Sequence, residues 1–184
     1  MKGIRGIGFG VLCMSVALMT LPARGAVEMF LDLANIPGES TDRFHPNQVE
    51  VLSWSWGMSN SGSAQAGSGG GAGKAGFQDI QVTKYVDKAS PKLMITCANG
   101  SHIEKATLFL RKAGTSPFEF LKVTMTEVRV TSVSTGGSTG EDRLTENLTL
   151  NFATVQVDYM SMKPDGTPNP VVSFGWNIAK NVAQ

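Results

Sequence analysis

Charge is scarce in this chain: only 17% of its 184 residues are Asp, Glu, Lys or Arg, and the formal net charge is +1. That scarcity excludes an acidic disordered tail and the charge-laced helices of a coiled coil. Lys2, Arg5 and Arg24 also fall within 25 residues that hold no acid, leaving 13 basic against 15 acidic residues beyond them. A domain with that balance has no basic field to hold phosphates, which argues against nucleic acid as a partner. Cysteine is nearly absent, with Cys13 and Cys97 alone. If the first 25 residues are removed, no intramolecular disulfide is possible and the fold cannot depend on an oxidising compartment. Apolar runs are few, and the one at 7–21 is shorter than a comfortable membrane span, so stable membrane insertion is not expected.

What is abundant is glycine, 21 residues of it. Short strands joined by glycine turns fit this composition, and the length suits one domain that needs no staples. Residues 1–25 read as a signal-like segment: a basic start with Lys2 and Arg5, the apolar run, and a small-residue exit at Ala23, Arg24 and Gly25. The expected boundary follows Gly25, leaving 26–184 as a single β-domain. Cys13 lies inside the apolar run and serves as filler there.

Alternation of side chains predicts strands around 27–35, 48–56, 77–86, 103–112, 118–133, 144–160 and 171–178. In the second, Val49 and Val51 share one face, and Trp54 and Trp56 are expected on the opposite one. Both indoles are assigned to core or subunit interface. Ser90 and Pro91 give an N-cap and first-turn proline, and Asn99 with Gly100 a stop, for one helix of under three turns. Leu121, Val123 and Met125 keep odd phase before Val128 and Val130 turn even. Leu148, Leu150 and Phe152 are even before Val155, Val157 and Tyr159 turn odd. Such slips, at Thr126–Glu127 and Ala153–Thr154, predict β-bulges and sharply bent strands at the corners of a barrel.

Residues 57–76 contain eight glycines and one charge, Lys74, and read as a flexible loop. A loop of this length in a compact domain usually has a task, and its lack of charge suits contact with another protein surface. Its Gly73-Lys74 pair fails the phosphate-loop spacing, since Ser68 and Ala75 stand where glycine and a hydroxyl are required. Gly71, Gly73 and Gly76 match a dinucleotide fingerprint only literally, preceding a strand instead of opening a helix. Cys97 and His102 lack two further zinc ligands, and neither His45 nor His102 adjoins a nucleophile. Glu141, Asp142, Arg143 and Glu146 read as an ion-paired loop. No cofactor, metal or catalytic residue is assigned.

Several stretches nevertheless carry a resemblance: Val51 to Ser59 (VLSWSWGMS), Gly69 to Lys74 (GGGAGK), Gln81 to Lys88 (QVTKYVDK), Ser134 to Gly137 (STGG), Glu141 to Asn147 (EDRLTEN), Leu150 to Ala153 (LNFA) and Phe174 to Ile178 (FGWNI). In this order, from about Val27 to Gln184, they resemble the haemolysin-coregulated protein (Hcp) family of bacterial type VI secretion. The resemblance implies a mainly β, phage-tail-tube-like fold, a bent-strand barrel of two sheets with one short flanking helix. It also implies a homohexameric ring stacking into an expelled tube, sheath and spike proteins as partners, and small effector proteins carried in the lumen. On that reading Gly57, Met58, Ser59, Gly69, Gly70, Gly71, Gly73, Lys74, Gly136, Gly137, Glu141, Asp142 and Arg143 belong to stacking or subunit interfaces. Trp54, Trp56, Tyr85, Phe152 and Trp176 are core or interface. The family is usually assembled in the cytoplasm and leaves without a signal peptide. Residues 1–25 therefore imply either a chain that truly starts near Ala26 or a changed, periplasmic route. A secreted effector variant and a periplasmic β-barrel ligand-binding protein remain as alternatives, separable by size in solution.

Overall fold

The computed structural model describes residues 26–60, 74–114 and 116–184. The signal-like segment and residues 61–73 of the glycine-rich stretch, with Gly69, Gly70, Gly71 and Gly73, lie outside the described residues. Within them are eleven strands and one helix: β1 (Val27–Leu33), β2 (Val49–Ser55), β3 (Met58–Asn60), β4 (Ala75–Phe77), β5 (Ile80–Tyr85), α1 (Ser90–Asn99), β6 (His102–Lys112), β7 (Phe118–Gly136), β8 (Thr145–Asn151), β9 (Thr154–Tyr159), β10 (Val172–Asn177) and β11 (Val182–Ala183). A nine-stranded sheet runs β11-β10-β9-β7-β6-β1-β2-β5-β8, and a further β7–β8 pairing closes six of its strands into a barrel. β3 and β4 form a second, two-stranded sheet. The expected barrel, its two sheets and its one short helix are all present, and among the described residues no helix is long and apolar enough to cross a membrane.

β7 organises this topology. One edge pairs with β6 from Phe118 to Arg129, while the other pairs first with β9 and then with β8. Leu121 to Thr126 face Tyr159 to Thr154, and pairing resumes at Arg129 opposite Asn151. The break falls at both predicted phase slips. Val123 and Met125 are buried on one side of it, Val128 and Val130 on the other. The slip in β7 is not the expected bulge, because the β6 register carries through it unchanged: Thr126 faces Lys105 and Val128 faces Ile103. Instead Glu127 takes φ +52°, and one left-handed residue turns the strand over without adding a residue. Register shifts do occur beside Leu110, beyond Val130 and beyond Val51.

The shift beyond Val51 corrects the tryptophan assignment. Val51 faces Lys84 and Trp54 faces Val82, leaving Leu52 as the extra residue of the bulge. Lys84 and Val82 lie two apart on one side of β5, so Trp54 joins Val51 on the core side instead of opposing it. Trp54 and Trp56 are both half-buried and packed against the core.

α1 is also capped differently from expectation. The N-cap is Ala89, without a side-chain bond; Ser90 is the first helical residue and Gly100 ends the helix in the left-handed region, φ 68°. Ser90 is used inward. Lys84, wholly buried on β5, places Nζ 2.7 Å from both Asp87 Oδ1 and Glu146 Oε1, and the Ser90 hydroxyl donates to the same Glu146 oxygen at 2.8 Å. The Tyr85 carbonyl accepts a further bond from Lys84 Nζ at 2.8 Å. Glu146 therefore leaves the exposed loop cluster to which it was assigned and sits inside the barrel on β8. Leu93 is fully buried and Cys97 half-buried on the same helix, whereas Met94 is 39% exposed.

Replacing Glu127 with glycine should preserve or raise stability, and Glu127→Val should lower it by about 1–2 kcal/mol, since a β-branched residue at positive φ is strained. Urea denaturation of both variants measures the difference. Lys84→Met leaves two carboxylates buried and uncompensated, with an expected loss of about 3–5 kcal/mol in the same assay.

Candidate functional site

The described residues carry few of the features of a reaction centre. No three His, Cys, Asp or Glu residues among them are grouped to hold a metal ion. His102 is exposed, with Nε2 3.6 Å from Glu127 Oε2. His45, read as a turn or surface residue, is instead buried and stacked on Phe30, ring centroids 4.4 Å apart. Its Nδ1 lies 3.0 Å from Gln48 Oε1. These contacts hold the 34–48 connection onto the barrel.

Arg111 fixes the same connection. Buried on β6, it gives Nη1 to Asp42 Oδ1 at 2.8 Å and Nε to Glu28 Oε2 at 2.7 Å, while Nη2 closes the Asp42 pair. Its guanidinium also lies 4.9 Å from the Phe30 ring centroid. Asp42 Oδ1 accepts the backbone N–H groups of Phe44 and His45 as well. The Arg111 hydrogen bonds, helped by these backbone donors, lower the Asp42 pKa to about 2. Nothing in the sequence marked this pair except an arginine between Leu110 and Lys112 on a strand.

The features left facing outward are surfaces. Trp56 connects the second sheet to the barrel: its Nε1 donates to the Gln78 carbonyl at 3.0 Å, and its ring lies 6.2 Å from both Phe77 and the buried Phe152. Phe77 in turn lies 6.2 Å from Trp176, which stacks with Phe174 at 6.5 Å. This aromatic row joins the β3–β4 ribbon to β10. The ends of the glycine-rich stretch are thus paired strands and not loop, with Met58 facing Phe77, Ser59 facing Gly76 and Asn60 facing Ala75. Met58 is 53% exposed, Ser59 and Lys74 are exposed, and the Gly57 carbonyl accepts the Gln78 N–H at 2.9 Å.

At another end of the barrel, Gly136 closes β7, and Gly137, Glu141, Asp142 and Arg143 follow it, all exposed. Arg143 covers the half-buried Tyr85 ring at 3.8 Å and reaches Glu50 at 4.0 Å. With Glu39, Ser40 and Asp87 these residues line a small polar notch. Of the residues assigned to interfaces, the structure therefore gathers two separate groups, one around β3–β4 and one after β7. Trp176 and Phe152 fall with the first and Tyr85 with the second.

A barrel extended by β9 and β10, with exposed faces and no grouped reactive side chains among its described residues, is the architecture of an assembly subunit. Comparison with known proteins gives the family. A family model described as Type VI secretion system effector, Hcp, matches residues 30–159. Protein hcp1 of Pseudomonas aeruginosa is 57% identical over 159 residues, covering 85% of this chain and 98% of that protein. A solved type six secretion system protein superposes with TM-score 0.81 at 29% identity, covering 86% of this chain and 100% of that one. Hcp1 from Salmonella typhimurium gives 0.72 at 36% identity, covering 86% and 99%. The chain belongs to the Hcp family of type VI secretion proteins.

Acid stability tests the Arg111 pair. A depressed carboxyl pKa contributes stability that is complete above the ordinary value near 3.8 and is lost as pH falls through about 2. Asp42→Asn should lower stability at pH 7 by about 2 kcal/mol and flatten the pH dependence across that window, as read by urea denaturation from pH 2 to pH 7.

Proposed function

We propose that this chain is a structural tube subunit of type VI secretion, forming hexameric rings that stack into the expelled inner tube and hold small effectors in the lumen. Membership of the Hcp family, over nearly the whole length of its relatives, carries this reading. Two physical features support it. The exposed aromatic and apolar side chains lie on outward surfaces where contact with other copies would cover them. The near-zero net charge allows like rings to stack without strong repulsion. On this reading the protein performs no chemistry of its own. Sheath and spike proteins are its further partners, and secretion follows assembly in the cytoplasm, with residues 26–184 as the working domain.

Sedimentation velocity of the purified protein should give a hexamer, and negative-stain images should show rings. A monomer or dimer under the same conditions would favour a small-ligand binder and overturn the proposal. Deleting residues 61–70 should preserve the circular-dichroism β signal while abolishing stacking or secretion, because that stretch offers no apolar face to a core. Intact-mass analysis of secreted protein should find chains that begin near Ala26.

A further inference from the structure

One depression on the surface has chemistry that the monomer leaves unfinished. Between the β3–β4 ribbon and β10, Met58, Ala75, Phe77, Phe174 and Trp176 line an open trough of about 290 Å³, with no charged side chain on its wall. Trp176 Nε1 is buried there, without a hydrogen-bond partner among the described residues. The neighbouring indole, Trp56, does have its acceptor, the Gln78 carbonyl. A buried N–H left unpaired costs about 1–3 kcal/mol, which an acceptor brought from outside recovers. Beside the trough, β10 also keeps part of its outer edge open. β11 pairs with it only at Trp176 and Asn177, and Gln184 bonds Gly175, so Val172, Ser173 and Phe174 have no strand beyond them among the described residues. Val172 is 69% exposed on that edge. An apolar wall, an orphan donor and an open strand edge together fit an extended, uncharged segment that presents backbone carbonyls.

The same molecule displays such a segment elsewhere. The end of β7 and the turn after it, residues 132–140, carry no charged residue, and all except the half-buried Val133 are exposed. None of them lines the trough. We propose that the occupant of the trough is the β7 end of a second copy of this chain, and that one of its backbone carbonyls accepts the Trp176 indole hydrogen. Charge selects the occupant: an uncharged wall penalises any segment that must shed water from an ion to enter, and 132–140 has none to shed. Because trough and β7 end are different faces, the contact is heterologous. Repeated with a rotation that closes, it makes a ring. The inference rests on the ring-forming reading above and names the two faces that meet.

Mixing two blocked copies tests it. Met58→Lys puts a charge on the exposed trough wall and leaves the β7 end intact; Ser134→Lys does the reverse. Each alone should be monomeric by sedimentation velocity. Mixed in equal amounts, they should form a dimer and no ring, because only one productive contact remains per pair. Trp176→Phe should weaken ring association roughly fivefold to tenfold, the worth of one hydrogen bond, while the unfolding midpoint of the dissociated chain holds or rises. Wild-type rings together with a mixture that stays monomeric, or single variants that still form rings, would overturn the assignment of faces while the tube reading stands. Variants that form rings but lose a bound effector would make the trough a cargo site and overturn the proposal equally. A fall in the midpoint of the dissociated Trp176→Phe chain would mean that the indole has its acceptor within the monomer. Wild-type protein that never associates would remove the tube reading and this inference together.

Discussion

A strand nineteen residues long has more backbone to pair than any single neighbour in this fold supplies, and that constraint sets the architecture. β7 satisfies one edge with β6 and divides the other between β9 and β8, and the division requires a turnover in mid-strand. Glu127 provides it at the cost of an unfavourable backbone conformation, which the paired residues on either side hold in place. Because the inward face changes parity at that point, the chain can close a six-stranded barrel with the second half of β7 and extend a sheet from the first half. The surfaces proposed to meet other copies follow from the same split: the extension carries Phe174 and Trp176, and the barrel end carries the 132–140 segment.

Much of this was legible in the sequence because alternation is a local property. Val123 and Met125 set one phase and Val128 and Val130 the other, and burial follows that order. What was less legible is instructive. The bulge at Leu52 left no phase signal that could separate it from a polar-outward run, so the two tryptophans were assigned to the wrong side. β3 and β4 were invisible because Gly, Ser and Ala score poorly as strand formers, yet cross-strand pairing and the aromatic row hold them. Lys84 and Glu146 were read as solvated charges, although a signal was present. Lys84 is in phase with Ile80 and Val82, and Glu146 with Leu148, Leu150 and Phe152, which are faces that only the core could take.

Two ion clusters on the page have different geometry and different roles. Arg111 with Asp42 and Glu28 is partly open to water and clamps a connection to the outside of β6, where it makes stability sensitive to strong acid. Lys84 with Glu146 and Asp87 is sealed. A buried pair of this kind contributes little net stability compared with apolar packing, but it tolerates no mismatch, since any other register of β5 against β8 leaves a charge dry and alone. Its value lies in specifying that one pairing, as a polar residue at a coiled-coil seam fixes the register there.

The position of that cluster along the chain also sets an order of events during synthesis. Ser90 and Glu146 are 56 residues apart, and β5 has its second partner only when β8 arrives. Until then a chain emerging from the ribosome holds β1, β2, β5 and β6 with the barrel wall incomplete, and its Lys84 ammonium lacks the Glu146 carboxylate. Long-range closure of this kind is slow relative to local structure, and the nascent protein remains a template for stray strand pairing while it waits. Chaperone demand should therefore peak just before residue 151 clears the exit tunnel and drop once the seam is shut.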